Sequence, residues 1–378
     1  METQQDMCKL EFMQSETASA STRPLPADAF LRHRGLMKTN TGAAKPQRIP
    51  ALDFTKGALV LFMVLYHWLN YFIGPEGTYY RYLRFLTPSF ILITGFIISH
   101  VYLSKYSPDD PRLPKRLFIR ALKLMAVFIA LNVARVFIVP ALGTGVLVKN
   151  PFNLANIFTI FISGNCPASG GKLVSFFILL PISYVLLFAG ALMLPYRFYR
   201  HTFYLVWFLL LVSIAILKIV GVESQNLELV TIGMLGVVIG FTPITTINRF
   251  VSHPYLLVLA YALYTVAITE WNVPYPLETI GVCLSVTAIY LVGTVELSGS
   301  RVRDTVILLG KYSLFGYISQ IAILQAIEVG LGHLNLEASK LVASFVGAIA
   351  LTVISVEVVD RARVGIPRVD RVYKAVFN

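Results

Sequence analysis

Apolar runs of about 20 residues follow one another through most of this sequence, and each is long enough to cross the hydrocarbon core of a bilayer as a helix. Lipid offers backbone groups no hydrogen-bond partners, and the runs lack the alternation of a membrane barrel, so helices are predicted. The fold class predicted is all-α, a polytopic membrane helix bundle of about ten transmembrane helices. They are predicted over residues 51–73, 84–104, 117–139, 172–194, 202–220, 226–244, 254–271, 277–296, 305–331 and 340–360.

Composition agrees with a lipid-embedded chain. Of the 378 residues, 56% are hydrophobic and 14% are charged, whereas soluble domains are about 25% charged. The predicted location is therefore the cell (inner or plasma) membrane, with membrane lipid as a partner.

The basic residues indicate an orientation. Fifteen of them fall in alternate connections and in the tail after residue 360 (Lys105, Arg112, Lys115, Arg116, Arg120, Arg197, Arg200, Arg249, Arg301, Arg303, Arg361, Arg363, Arg368, Arg371 and Lys374). Five fall in the opposite set: Arg81, Arg84, Lys149, Lys172 and Lys340. Because cytoplasmic loops carry the excess of Lys and Arg, both termini are predicted to be cytoplasmic. The net charge of +12 is thus a topology signal, and no nucleic-acid partner is predicted.

Three regions are predicted. Residues 1–48 are polar and rich in Ser, Thr, Ala and Pro, which favours a disordered cytoplasmic tail. Residues 49–360 form the transmembrane domain, and 361–378 a basic cytoplasmic tail. Within the longest outer connection, residues 153–163 are predicted as an interfacial or re-entrant helix that is too short to span. The three cysteines are scattered, so neither a disulfide framework nor a metal site is predicted.

His67 is the only one of the six histidines that lies deep in a predicted span. Ionisable side chains inside spans are costly and mark functional sites, and histidine is the usual general base. Lys56 precedes it by eleven residues, close to three turns, so the two side chains share a face about 16 Å apart along the helix. Asp53 lies on that face and is placed to pair with Lys56. Structural readings stay open: His67 could bond to a neighbouring helix, and Lys56 and Asp53 could snorkel to the interface.

The residues around this pair carry a resemblance. The segment from Arg48 to Gly57 (RIPALDFTKG), followed by His67, resembles the opening of the transmembrane acyltransferase families. These include acyltransferase-3, the glucan-succinylating membrane proteins and the heparan-α-glucosaminide N-acetyltransferase group. Residues 88–96 (PSFILITGF) and 309–320 (LGKYSLFGYISQ) are similar to a second-span and a late-span segment of these families. The basic segment 116–123 is similar to their arginine-rich entry to span three.

The chain also departs from these families. Thr87-Pro88 replaces an acidic GxD segment, and Gln320 stands where many members have histidine. A WSLxxE-type segment is not evident. These differences favour the glucan-modifying or the DUF1624-like branch.

The resemblance implies an acyltransferase that uses cytosolic acyl-CoA, with acetyl-CoA as the first choice of donor, and no tightly bound cofactor. The acceptor implied is a hydroxyl or amine of a glycan or glycolipid at the outer face. His67 and Lys56 are then the catalytic candidates, with Asp53, Thr94 and Gln320 in support. Arg120, Lys123 and Lys311 are the candidates for binding the acyl donor through its phosphates.

Two other functions remain open from the sequence. One is a transporter or flippase of an amphipathic or anionic substrate, with Lys56 and His67 as a relay. The other is a membrane scaffold without turnover. Whether the chain forms a homo-oligomer is also open.

Overall fold

The structure is a computed structural model that describes residues 49–74, 77–103, 105–106, 110–141, 154–164, 175–251, 254–271, 273–295, 300–331 and 338–377. The predicted tail at 1–48 lies outside these residues, as does most of the outer connection on either side of residues 154–164. Within the described ranges the chain is all-helical, as predicted, and no strand is found there.

Fifteen helices are described. They are α1 (Pro50–Phe72), α2 (Tyr80–Leu83), α3 (Leu86–Ile97, extended by a π-helical segment Ile98–Leu103), α4 (Arg112–Ala141), α5 (Leu154–Ile162), α6 (Leu179–Phe198), α7 (Thr202–Ile219), α8 (Gln225–Gly240), α9 (Ile244–Val251), α10 (Pro254–Glu270), α11 (Tyr275–Thr294), α12 (Arg301–Lys311), α13 (Ser313–Leu331), α14 (Ala338–Gly365) and α15 (Pro367–Phe377).

Eight helical segments in the described residues are long and apolar enough to cross a membrane. They are α1, α2 with α3, α4, α6, α7, α11, α13 and α14. Two shorter apolar helices, α8 and α10, coincide with the other two predicted spans. The chain is therefore a multi-pass membrane protein; the count of ten and the cytoplasmic termini stay predictions.

Two predicted segments differ in detail from the structure, and a third is found as predicted. The span predicted at 305–331 is two helices, because the chain leaves α12 at Tyr312 and restarts at Ser313. The short helix predicted at 153–163 is present as α5. The tail after residue 360 is helical over most of its length, since α14 continues to Gly365 and α15 follows.

Helix α1 lies in the middle of the bundle and contacts α3, α11, α12, α13 and α14. Its closest neighbour is α12, because glycines let the two backbones meet. A Cβ on Gly57 would overlap the carbonyl oxygen of Val306, and one on Gly310 would overlap that of Asp53. Small residues of this kind are the usual means of close helix packing in membranes. The contact fixes the end of α1 that carries Lys56 against the end of α12.

A second close contact joins α3 to α8. A Cβ on Gly95 would overlap the carbonyl oxygen of Gly233, and one on Gly236 that of Leu92. The main apolar core is built from side chains of α1, α3, α4, α6, α8, α11 and α13. This packing holds α1 and α3 as rigid walls for the cavities described next.

Candidate functional site

A cavity of about 180 Å³ opens beside the first half of α1, and we call it the Lys56 cavity. Four of the predicted site residues line it: Lys56, Thr94, Arg120 and Lys311. Its apolar lining comes mainly from α3, α4 and α6, and Tyr373 and Phe377 of α15 also line it. The volume is below the roughly 300 Å³ of common small-molecule sites, which suits a slender portion of a ligand.

The charged side chains that line the Lys56 cavity are all cations. Lys56 Nζ lies 2.6 Å from Asp53 Oδ1, the ion pair that their spacing predicts. Arg120 donates a hydrogen bond of 2.6 Å to the hydroxyl of Tyr102, and Lys311 is exposed at the end of α12. Within the described part of the chain, Asp53 is the only carboxylate paired with these three cations. The cavity wall therefore carries a surplus of positive charge that suits an anionic group.

The close backbone contact of α1 with α12 explains why Lys56 and Lys311 line the same cavity. Gly57 follows Lys56 directly, Gly310 precedes Lys311, and the amide nitrogen of Gly310 would be 2.9 Å from a Cβ on Gly57. The two lysines are more than 250 positions apart in the sequence but flank one helix crossing. The motifs RIPALDFTKG and LGKYSLFGYISQ thus contain the residues that join the two helices.

His67 lies farther along α1, between two tyrosines. Its ring centroid is 5.2 Å from that of Tyr66 and 6.3 Å from that of Tyr317. His67 does not line the Lys56 cavity, but Tyr317 does. The Nε2 atom of His67 is shielded from solvent and has no hydrogen-bond partner among the described residues. Buried polar atoms nearly always have a hydrogen-bond partner, so this ring nitrogen stands out as one that the described residues leave unsatisfied.

Thr94, Gln320 and Lys123 differ in whether they line the cavity and in which of their polar atoms are free to form hydrogen bonds. The Thr94 hydroxyl donates to the carbonyl oxygen of Phe90 at 2.8 Å, so toward the cavity it can only accept. Gln320 is fully buried and does not line the cavity; neither polar atom of its side chain has a partner among the described residues. Lys123 is partly exposed and also lies outside the cavity lining. Lys123 is therefore not among the predicted donor-binding residues that line the cavity, although it lies one turn from Arg120 on α4.

A second cavity, of about 410 Å³, lies at the far end of α1, and we call it the Glu278 cavity. It is lined by Tyr66, Asn70, Tyr80, Leu83, Arg84, Thr87, Pro88, Glu223, Gln225, Glu228, Leu229 and Glu278. Asn70 lies 14 residues after Lys56, about 21 Å along the helix. The two cavities are therefore at opposite ends of α1, and His67 lies between them, next to Tyr66 of one and Tyr317 of the other.

The charges at the Glu278 cavity are mainly negative. Glu228 pairs with Lys218 at 3.0 Å, and Arg84 donates to the carbonyl oxygen of Val273 at 3.2 Å. These contacts leave Glu278 without an ion-pair partner in the described residues. Carboxylates accept hydrogen bonds only, so this lining suits hydroxyl or ammonium groups.

The carboxylates and the arginine of the Glu278 cavity were not predicted from the sequence as site residues, and neither was Tyr317. Glu228 and Glu278 each fall in the first turn of an apolar helix. There they look like ordinary acids at a helix N-terminus, where negative charge is favourable. Tyr317 lies within segment 309–320 (LGKYSLFGYISQ), and its place in that motif is the sequence feature that could have indicated it. Arg135 and Glu328, an oppositely charged pair on α4 and α13, were also unassigned.

The described residues contain no group of three or more His, Cys, Asp or Glu side chains placed to hold a metal ion. Comparisons with protein-family models, curated proteins and solved structures found no match.

Proposed function

We propose that this chain is an integral membrane acyltransferase of the cell membrane. It moves an acyl group from acyl-CoA at the cytosolic face to a hydroxyl or amine of a glycan or glycolipid at the opposite face. One observation carries the proposal: His67, with its unpartnered Nε2, lies between a cationic cavity and an acidic one at opposite ends of α1.

The donor side is assigned to the Lys56 cavity. CoA carries several phosphates, and charge-assisted hydrogen bonds to cations are the strong way to hold them. Lys56, Arg120 and Lys311 line the cavity and suit those phosphates. The volume of about 180 Å³ accommodates only the slender pantetheine arm, so the nucleotide lies outside, at the cytosolic mouth. The arm then points along α1 toward Tyr317 and His67.

The chemistry is assigned to His67. Its Nε2 accepts the proton of the acceptor hydroxyl or amine while the oxygen or nitrogen attacks the thioester carbonyl. The carbon–sulfur bond then breaks, and the proton returns from His67 to the departing CoA sulfur. The negative charge that develops on the carbonyl oxygen needs a hydrogen-bond donor. Tyr317, which lines the donor cavity beside His67, is the candidate donor.

The acceptor side is assigned to the Glu278 cavity. Its tyrosines Tyr66 and Tyr80 offer faces for sugar rings, and its carboxylates accept from hydroxyl or ammonium groups. This lining favours neutral or amine-bearing acceptors over acidic ones, because an anion would meet unpaired carboxylate charge.

The test is acyl transfer by the full-length protein reconstituted in nanodiscs. Radiolabelled acetyl-CoA is supplied with glucans, neutral glycolipids and amino sugars, and label in ester or amide form is measured. The expected result is label on at least one acceptor, reduced by about 10²- to 10⁴-fold in His67→Ala, as general-base loss predicts. His201→Ala, a change at an exposed histidine before α7, is the matched control and should retain full transfer.

Two results would overturn the proposal. One is labelling that is the same in His67→Ala as in the control. The other is movement of unmodified glycolipid across sealed vesicles without consumption of acyl-CoA, which would establish the transporter. Labelled short-chain donors other than acetyl-CoA, succinyl-CoA among them, belong in the same assay because the acyl group is not specified by the cavity.

A further inference from the structure

Helix α15 follows the last apolar helix almost without a linker. Only Ile366 separates Gly365, the end of α14, from Pro367, the start of α15. Since α14 is long and apolar enough to span a membrane, α15 must lie close to the membrane surface at which α14 ends.

One face of α15 packs on the protein. Tyr373 is buried, and its ring centroid lies 5.4 Å from that of Tyr312. The ring centroids of Phe377 and Phe315 are 6.1 Å apart. Tyr373 and Phe377 also line the Lys56 cavity. This face of α15 is therefore part of the cavity wall.

Ion pairs fasten α15 to the end of α14. The guanidinium of Arg363 donates to Asp370 Oδ1 at 2.7 and 2.9 Å, and its carbon lies 4.1 Å from the ring centre of Tyr373. Lys374 pairs with Oδ2 of the same carboxylate at 2.5 Å. Asp370 is thus fully engaged within the protein.

The opposite face of α15 is basic and apolar together. At about 100° per residue, Arg368, Arg371 and Val372 lie on the side away from Tyr373 and Phe377. Arg368 and Arg371 are exposed, and they have no carboxylate partner among the described residues. Val372 is 64% exposed, and Val364 and Ile366 just before the helix are 85% and 50% exposed.

We propose that this face of α15 docks onto the anionic headgroups of the membrane leaflet in which α14 ends. Arginines with apolar side chains between them are typical of helices that lie in the interface, where the apolar groups enter the acyl boundary and the cations meet phosphates. Contacts with the headgroups then hold the basic face of α15, while the ion pair of Arg363 with Asp370 holds its other side against the protein. The charge of the leaflet thereby stabilises one wall of the Lys56 cavity. The lipid contact itself does not depend on the proposed acyltransferase activity.

The test measures hydrogen exchange of the amides of 366–377 in the full-length protein. One sample is held in nanodiscs of phosphatidylcholine alone and the other in nanodiscs with added phosphatidylglycerol. Slower exchange in the anionic nanodiscs is expected. The difference should vanish in about 1 M salt, where charges are screened beyond about 3 Å. Inorganic phosphate added to the phosphatidylcholine sample should not reproduce it, since a free anion gives no interface for Val372.

The variant is Arg368→Gln with Arg371→Gln. At about 1 kcal/mol per arginine near an anionic surface, the lipid-dependent protection should fall by about 30-fold. The control is Arg112→Gln with Lys115→Gln, two exposed cations at the start of α4, which should keep the full difference. Equal exchange in the two lipids, or an equal loss in the control, would overturn the proposal. So would protection that persists in the variant, which would assign the lipid dependence to residues other than Arg368 and Arg371.

Discussion

The two cavities along α1 differ in charge, in size and in the helices that form their walls. The Lys56 cavity is about 180 Å³, is lined by three cations and has α15 as one wall. The Glu278 cavity is about 410 Å³ and is lined by three carboxylates and one arginine. A protein that bound one substrate at either end would not need opposite charges at the two ends. The difference supports the proposed function, in which two ligands of unlike charge meet at His67.

The largest effect that separates the cavities is expected from Lys56→Gln. A hydrogen bond to a charged group is worth about 1.5–3 kcal/mol, so the KM for acyl-CoA should rise by about 10- to 150-fold. The acceptor KM should be unchanged because the Glu278 cavity is about 21 Å away along α1. Steady-state kinetics with each substrate varied in turn measure both. Lys115→Gln, at an exposed lysine of α4, is the control.

An equal loss of donor and acceptor use in Lys56→Gln would contradict this separation. It would assign Lys56, with Asp53, to folding of the end of α1 rather than to donor binding.

Packing around Gly57 gives the second prediction. In Gly57→Ala the new methyl would overlap the carbonyl of Val306, so α1 and α12 must move apart. We expect this to lower the free energy of unfolding by about 1–3 kcal/mol. The thermal unfolding temperature should fall, and donor KM should rise because Lys56 and Lys311 move apart. The control is Gly347→Ala on α14, where a Cβ meets nothing within 4 Å. There, greater helix propensity should leave stability equal or higher.

Unchanged stability in Gly57→Ala would contradict the backbone contact between α1 and α12. A fall in acceptor binding as large as that in donor binding would show that the two ends of α1 are coupled.

The Lys56 cavity could be predicted in part from sequence because its key relation is local. Lys56 and His67 share a face through their spacing within one helix, and Asp53 pairs with Lys56 for the same reason. Lys123 illustrates the limit. It lies three residues after Arg120, a spacing that places two side chains close together on one helix face. Only Arg120 lines the cavity, because the packing of α4 against its neighbours decides which side chain faces it, and the spacing does not encode that packing.

The Glu278 cavity could not be predicted because its members are distant in sequence. Glu228 and Glu278 lie 50 positions apart on α8 and α11, and Arg84 lies before α3. In the sequence, each of them looks like an ordinary charged residue at the end of an apolar run. Only the packing of these helices brings the three side chains to one cavity. The apolar helices themselves followed directly from hydropathy, since burial in lipid requires long uncharged runs. The break at Tyr312 did not follow from hydropathy, because the nearby glycines Gly310 and Gly316 are common inside membrane helices and no proline interrupts 305–331.

A smaller effect is expected at the acceptor end. Glu278→Gln replaces the carboxyl group with an amide but keeps the shape of the side chain. Affinity for amine-bearing acceptors should fall by about tenfold, the value of one modest hydrogen bond, while neutral acceptors and acyl-CoA are little affected. Competition binding with matched sugar and amino-sugar glycolipids measures the difference. Glu270→Gln, at the exposed end of α10, is the control, and a loss of acyl-CoA binding in Glu278→Gln would contradict the assignment of the two ends.

The smallest effect concerns α15, a wall of the Lys56 cavity that does not come from a spanning helix. Asp370→Asn removes the carboxylate between Lys374 and Arg363, so exchange of the amides of α15 should accelerate by less than about tenfold, since exposed ion pairs are weak. Amides near the Glu278 cavity should not change. Asp304→Asn, at an exposed acid in the first turn of α12, should leave α15 unaffected.

Acid gives the same test without a mutation. Hydrogen bonds from Lys374 and Arg363 lower the pKa of Asp370 below its ordinary value. A lowered pKa means that the ion pair stabilises α15 at every pH above the ordinary aspartate range and loses that contribution as the pH falls through the lowered value. Exchange in α15, corrected for the intrinsic pH dependence of amides, should therefore be constant near neutrality and rise only in strong acid. Asp370→Asn should abolish this rise, whereas a rise that persists in the variant would assign the acid sensitivity to another group and leave the wall of the Lys56 cavity independent of Asp370.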